Sequence, residues 1–374
     1  MNDASPSQLQ YSSKKAHAIF GADPSFSPET SSSARRKSYG TDELLSLGAE
    51  IGFLKKPDAP IAAAIFVTKG GVLKTTLTLN LARMAALHGL KVCVVGLDMQ
   101  GDITQALGGD GPDENQSLAE ALKTLNSMRG LADLFNHQGG GPTTLDELIL
   151  PTEIPSLFYI PETPELVALD QSLLSRNRRE YWLLENVVEP LKEKFDLILM
   201  DCSPNWNRLI NNALVASDVL LSPIESKINN FRNLRTFRAL VSEFKRDMRI
   251  DFRHLFVPTR VVASRRLSRE IFDWYKTNLE NCSTRSIRES VQGEEATALR
   301  LSIPEHSPNS VAAAEMRILL HEIGTAIGIA KTDDPALLAT DLAKLGGSPE
   351  KSSDTSSENQ EDANEQDHSQ TLEA

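Results

Sequence analysis

Cysteine is scarce in this chain: Cys93, Cys202 and Cys282 are the only three in 374 residues. They are odd in number and far apart, with no CxxC or Cys/His cluster, which excludes a disulfide framework or a cysteine-based zinc site and leaves buried, reduced thiols as the expectation. No apolar stretch approaches the roughly 20 residues needed to cross a bilayer. Nothing among the first thirty residues has the basic-then-apolar form of a secretory signal, so a cytoplasmic protein is expected. Internal repeats are absent. Positive charge is also short overall, the net value being −12. That balance would ordinarily exclude a nucleic-acid partner, because holding DNA means neutralising phosphates with Lys and Arg.

The distribution of charge removes that exclusion. From Glu350 onward the chain is a Ser/Glu/Asp/Gln mixture with almost nothing to bury, and this tail carries a large share of the acid. Between Lys227 and Glu270, twelve basic residues face only Glu243, Asp247, Asp251 and Glu270. Arg232, Arg235, Arg265, Arg266 and Arg269 are the candidates within it for gripping phosphates without reading sequence. For any one of them the alternative is a solvated helix face with ordinary ion pairs.

Residues 1 to about 40 are rich in Ser, Pro and Ala and lack a sustained apolar period, so they are expected to be largely disordered. Thr41-Asp42-Glu43 followed by Leu44, Leu45 and Leu47 caps and starts one short helix ending near Gly52. Pro57 and Pro60 then interrupt the chain. The expected organisation is an extension over 1–58 with one short helix, a main domain over 59–331, and an acidic disordered tail over 332–374. Inside the domain, Ile61–Val67, Lys91–Leu97, Leu157–Ile160, Phe195–Met200, Val219–Ile224 and Leu255–Val257 are apolar and short enough to be buried strands. Helical stretches lie between them, among them Thr75–Leu87, stopped by Gly89, and a last one from Ser310 to about Ile329. Strand and helix in alternation predict an α/β fold, a mainly parallel twisted sheet with helices on both faces.

The run Lys69-Gly70-Gly71-Val72-Leu73-Lys74-Thr75-Thr76 joins the first of these strands to a helix. A triphosphate needs many donors close together, and a Gly-containing turn at a helix N-terminus supplies backbone N–H groups and the positive end of the helix dipole. Lys74 then reaches the β and γ phosphates of ATP and the Thr75 hydroxyl ligates Mg2+. Asp201 ends an apolar strand at the carboxyl edge of the sheet, where its carboxylate can hold the same ion through water. Asp98 ends a neighbouring strand and can orient the attacking water. Either aspartate alone would serve equally as a helix cap or turn residue; together, downstream of a phosphate loop, they read as an active site. Cys202 beside Asp201 reads as a small buried residue.

With its second lysine, Lys69, the loop resembles KGG-x-x-KT[TS], the deviant Walker A motif of the ParA/MinD/nitrogenase-iron-protein class of P-loop ATPases. Gly96-Leu97-Asp98-Met99-Gln100-Gly101-Asp102 is similar to that class's DxDPQGN segment, and Phe195 to Pro204 to its Walker B strand and turn. Asn212 to Asp218 with the strand ending at Pro223, and Ile303 to Glu315, resemble its later motifs, so the likeness runs from about Ile61 to Ile329. It implies an ATP- and Mg2+-dependent homodimer in which Lys69, with Lys74 and Asp98 catalytic, reaches across to the partner's nucleotide. Three positions depart. Leu73 stands where most P-loops have Gly and could crowd the phosphates; Gly96 replaces the first aspartate of DxD, and Met99 the proline.

Within the class, nitrogenase iron protein is excluded because Cys93 and Cys202 lie within or beside core strands. A MinD-like membrane mode is excluded by the acidic, Ser-rich terminus, which anionic lipid repels. The resemblance to ParA remains, and implies plasmid or chromosome partition by a nucleoid-associated ATPase that binds DNA nonspecifically and whose hydrolysis a ParB-like partner stimulates. Two alternatives stay open: a hydrolysis-deficient, nucleotide-dependent DNA-binding regulator, and an ATPase that positions a protein cargo. Residues 41–56 offer one helix and no second, so no helix-turn-helix module is assigned.

Overall fold

The computed structural model describes residues 10–22, 38–109, 117, 128–135, 143–262, 264–333 and 338–346. Two short strands, β1 (Tyr11–Ser12) and β2 (Ser38–Tyr39), pair antiparallel. The strands β3 (Ile61–Ile65), β4 (Val92–Leu97), β5 (Leu150–Pro151), β6 (Leu157–Ile160), β7 (Leu197–Cys202), β8 (Val219–Glu225) and β9 (Arg253–Thr259) form one sheet in the order β5-β6-β4-β7-β3-β8-β9. Every pairing in it is parallel except that of the two-residue edge strand β5 with β6. In this sheet predicted and observed strands coincide to within two residues at each end, apart from β5, and the mainly parallel α/β sheet is as expected; β1 and β2 were not predicted.

Side-chain alternation explains why the sheet is covered twice. Along β3, Ala63 and Ile65 join one buried cluster while Ala62 and Ala64 join the other; along β7, Leu197 and Leu199 take the first face and Ile198, Met200 and Cys202 the second. The helices that frame the site are α1 (Ser13–Ile19), α2 (Thr41–Ile51), α3 (Lys74–Leu87), α4 (Asp102–Ala106), α5 (Arg208–Val215), α6 (Ile228–Met248), α7 (Arg266–Asn278), α8 (Val311–Ile327) and α9 (Ala339–Lys344). On α3 every side chain from Leu77 to Leu87 is buried, because the sheet lies on one side of it and the terminal elements on the other. Gly89, at φ +86°, ends it in the left-handed conformation that a side chain would disfavour.

Two stretches expected to be without structure pack onto the domain. Tyr11, Ala16, Ile19, Phe20 and Tyr39 are buried in the same cluster as α2, α3 and α8, and the Phe20 ring stands edge-on to His88 at 5.1 Å. Near the other end, α9 places Asp341 against Arg317 of α8 in a two-pronged pair, Nε to Oδ2 at 2.6 Å and Nη2 to Oδ1 at 2.7 Å, with both side chains buried. Arg317 also donates to the carbonyl of Ala18 on α1. A bidentate pair with its remaining donor satisfied is the arrangement under which a buried guanidinium is tolerated. The polar composition of these segments hid a few large apolar anchors and one well-partnered charge. The rest of the expected disordered extension and tail lies outside the described residues.

Candidate nucleotide site

The loop between β3 and α3 owes its shape to two left-handed residues, Gly71 (φ +68°) and Leu73 (φ +66°, ψ +34°). Glycine adopts that conformation freely, whereas for leucine it costs roughly 1–2 kcal/mol. Leu73 packs its side chain against the margin of the core cluster that holds α3, contact that offsets the strain. Such a reversal at the start of a helix is the arrangement in which backbone N–H groups bind anions.

These residues wall a cleft of ≈ 630 Å³ lined by Gly70 to Thr76, Leu97 to Gln100, Asp102, Leu166, Asp170, Ser203 to Asn205 and Arg260, among others. It has the size of a cofactor site and opens at the carboxyl ends of β3, β4 and β7, where ligands sit in open α/β sheets. Lys74 is buried at its floor, 8% exposed, with Nζ 3.4 Å from the Lys69 carbonyl.

Asp201 lies two residues beyond Leu199 on the face of β7 that meets α3. There Thr75 Oγ1 donates to its Oδ2 at 2.9 Å and Thr78 Oγ1 to its Oδ1 at 2.8 Å. Burial pushes the Asp201 carboxyl up to about 6, against the opposing effect of the two hydroxyls and Lys74. A buried carboxylate touching a hydroxyl oxygen at a phosphate loop offers the hard oxygen donors that Mg2+ takes, alongside water and phosphate oxygens. Thr75 and Asp201 therefore fit that ion. Asp98 follows β4 directly and lines the cleft; its Oδ1 accepts from the Gln100 N–H at 3.3 Å.

Lys69 stands apart from the other loop residues. Its Nζ reaches away from this cleft to the buried Glu225 at the end of β8, 3.3 Å distant, and its own side chain is 42% exposed. Lys227 and Arg260 approach the same carboxylate. The five candidate arginines Arg232, Arg235, Arg265, Arg266 and Arg269 are exposed on α6 and at the start of α7, and Arg266 pairs with Glu270 at 2.7 Å. They are not part of the cleft. Cys202 is fully buried and burial raises its thiol well above the ordinary range, so it is no reactive group.

Sequence reasoning passed over Glu162 and placed Arg260, which lines the cleft, only within the basic segment. Glu162, two residues past β6, is 4% exposed, and burial followed by repulsion from Asp201 pushes its carboxyl up to about 9. The signal was present: a carboxylate just after the apolar run Leu157–Ile160, the same pattern that singled out Asp98 and Asp201.

Phosphate loop, buried lysine, threonine hydroxyl and strand-end carboxylate, on a parallel sheet of this topology, define a P-loop nucleotide-binding protein. The sequence model of the family described as AAA domain matches residues 61–254, just over half of the chain. Cell division protein PomZ of Myxococcus xanthus is 24% identical over 315 residues, covering 84% of this chain and 92% of PomZ. Chromosome partitioning protein ParA of the same organism is 29% identical over 185 residues, covering 50% of this chain and 59% of that protein. Among solved structures, a plasmid partition protein of Borrelia burgdorferi bound to AMPPNP superposes with a TM-score of 0.57 at 19% identity, covering 72% of this chain and all of that one. The chain belongs to this family, the ParA-like P-loop ATPases.

Proposed function

We propose that this chain is a ParA-like, Mg2+-dependent ATPase whose ATP-bound form is a homodimer that binds DNA nonspecifically on the nucleoid and moves a plasmid or chromosome. The observation that carries the reading is the direction of Lys69. It points out of its own cleft onto Glu225 with a partly exposed side chain, where a lysine serving its own nucleotide would point in. In the closed dimer Lys69 leaves Glu225 for the partner's phosphates.

Each residue then has a task. The N–H groups of Gly70 to Thr76 and the end of α3 hold the phosphate oxygens, and Lys74 neutralises charge that builds on them as the terminal phosphoryl group leaves. Thr75 and Asp201 would hold Mg2+, which when bound would screen the phosphate charge. Asp98 accepts a hydrogen bond from the attacking water and aligns it. Arg232, Arg235, Arg265, Arg266 and Arg269 meet DNA phosphates, and a ParB-like partner stimulates the otherwise slow turnover. The cargo has a second reading, a cell-division assembly instead of DNA, favoured by the match to nearly the whole of PomZ.

Steady-state phosphate release, measured with DNA present, tests the assignment. Lys69→Ala and Asp98→Ala are each expected to reduce turnover by about a hundredfold or more. Full activity in either variant would contradict the mechanism, and bound ATP with no phosphate release in the unmodified chain would favour a hydrolysis-deficient regulator.

A further inference from the structure

Gly96 stands directly opposite Asp201 in the β4–β7 register, on the face that meets α3, yet contributes no side chain to the cleft. The space is taken. A Cβ built on Gly96 would lie 2.1 Å from Cγ and 2.9 Å from Cδ of Glu162, with the Glu162 backbone nitrogen at 3.2 Å, so a side chain at 96 and the present Glu162 side chain exclude each other, while the backbone contact asks only for a shift of a few tenths of an ångström. We propose that Glu162 is a positioning residue for turnover: from the end of β6 it supplies the carboxyl group missing at position 96 and fixes Asp98 and the start of α4 against the cleft.

The contacts support that role. Glu162 Oε1 accepts from the Asp98 N–H at 3.3 Å, while Oε2 accepts from the Thr104 N–H and hydroxyl, each at 3.3 Å. Its own N–H donates to Thr104 Oγ1 at 2.8 Å. One buried side chain thus ties the end of β4, helix α4 and the end of β6 together around the residue assigned to the attacking water. Filling the gap above Gly96 needs no polar atoms, and burying a carboxyl group is costly unless it has partners. The use of a glutamate is explained by the N–H of Asp98, which needs an acceptor at this place. Position 96 is also where the resemblance places an aspartate, and here the carboxyl group beside that position comes from the end of the neighbouring strand.

This inference rests on the ATPase reading, and the test separates the two. ATP turnover and binding of a nonhydrolysable ATP analogue are measured on the full chain, on Glu162→Ala, Glu162→Gln and Gly96→Asp, and on the double variant Gly96→Asp/Glu162→Ala. Glu162→Ala is expected to lower kcat about tenfold or more with analogue affinity changed by less than about threefold, a loss confined to the reacting state. Glu162→Gln keeps the shape and the acceptor for Asp98 and retains about a third of kcat or more. Gly96→Asp alone fails through the clash, and the double variant recovers to within about threefold of the unmodified chain, a coupling that independent structural damage would not produce. Unchanged kcat in Glu162→Ala, or a double variant no better than the poorer single one, overturns the inference; should Glu162→Ala fail to fold, the Gln and double variants decide it. An unmodified chain that binds the analogue but never hydrolyses ATP instead refutes the ATPase reading, and this inference with it.

Discussion

Replacing Lys74 with alanine is expected to lower ATP turnover by about a thousandfold, the scale on which a preorganised charge at a transferring phosphoryl group acts. The size of the effect follows from where the charge sits. Lys74 opens α3, is 8% exposed, and has Nζ 3.4 Å from the Lys69 carbonyl, so the ammonium is held at the cleft floor by the loop itself. Water screens it little there, and its attraction for phosphate is correspondingly strong. Lys74→Arg keeps the charge but changes its shape and reach, and is expected to recover little. Single-turnover phosphate release checks both; residual activity within about tenfold of the unmodified chain would remove Lys74 from the chemistry.

The second large effect concerns stability, at the rear of the same helix. Arg83 of α3 is fully buried and meets Glu305 twice, Nε to Oε2 at 2.7 Å and Nη2 to Oε1 at 2.9 Å, with Glu153 on Nη1 at 2.6 Å. Glu305→Ala leaves that guanidinium buried with one partner fewer and should cost about 3–5 kcal/mol. Pairing Glu305→Leu with Arg83→Met removes both charges and is expected to recover most of the loss. Acid acts in the same direction. Burial alone would raise the Glu305 carboxyl, but Arg83 and the Ser302 hydroxyl and N–H outweigh it and hold the carboxyl below its ordinary value. Its contribution is therefore complete above the ordinary glutamate range and is lost as pH falls through the lowered value of the folded state. Thermal melts across that range should show a steeper acid loss for the unmodified chain than for the double variant. Equal slopes, or a Glu305→Ala melt unchanged at neutral pH, would show that the pair does not hold α3 in place.

What the sequence revealed is what local spacing encodes. The strand–turn–helix order around Lys74 and the strand-end carboxylates Asp98 and Asp201 could be read because each depends on residues close in the chain; the face on which Asp201 meets Thr75 emerges only in the fold. Arg83 with Glu305 lies 222 positions apart, and nothing local marks either residue as buried. The ordered part of the extension was hidden for the related reason that Tyr11, Ile19 and Phe20 are few among polar neighbours and gain burial only once α3 and α8 are in place. Glu162 carried the local mark of an acid just after an apolar strand, but its place beside the cleft depends on a second residue, Gly96 on the next strand, which leaves room for it. Strand β5 is two residues long and carries no periodicity at all.

Leu73 changes meaning as well. In sequence it threatened the phosphates; in the fold its left-handed backbone shapes the loop while the side chain packs on the core margin. A Gly-less position in the loop is thus compatible with an open cleft beside it.

A dimer controlled by nucleotide through Lys69 is what the proposed mechanism depends on, and sedimentation velocity of the Asp98→Ala chain puts it to the test, since slowed hydrolysis preserves the ATP state. With Mg2+ and ATP the chain should sediment as a dimer and with ADP as a monomer, and adding Lys69→Ala should return the ATP sample to monomer. Identical sedimentation in ATP and ADP, or an ATP dimer that persists without Lys69, would contradict it.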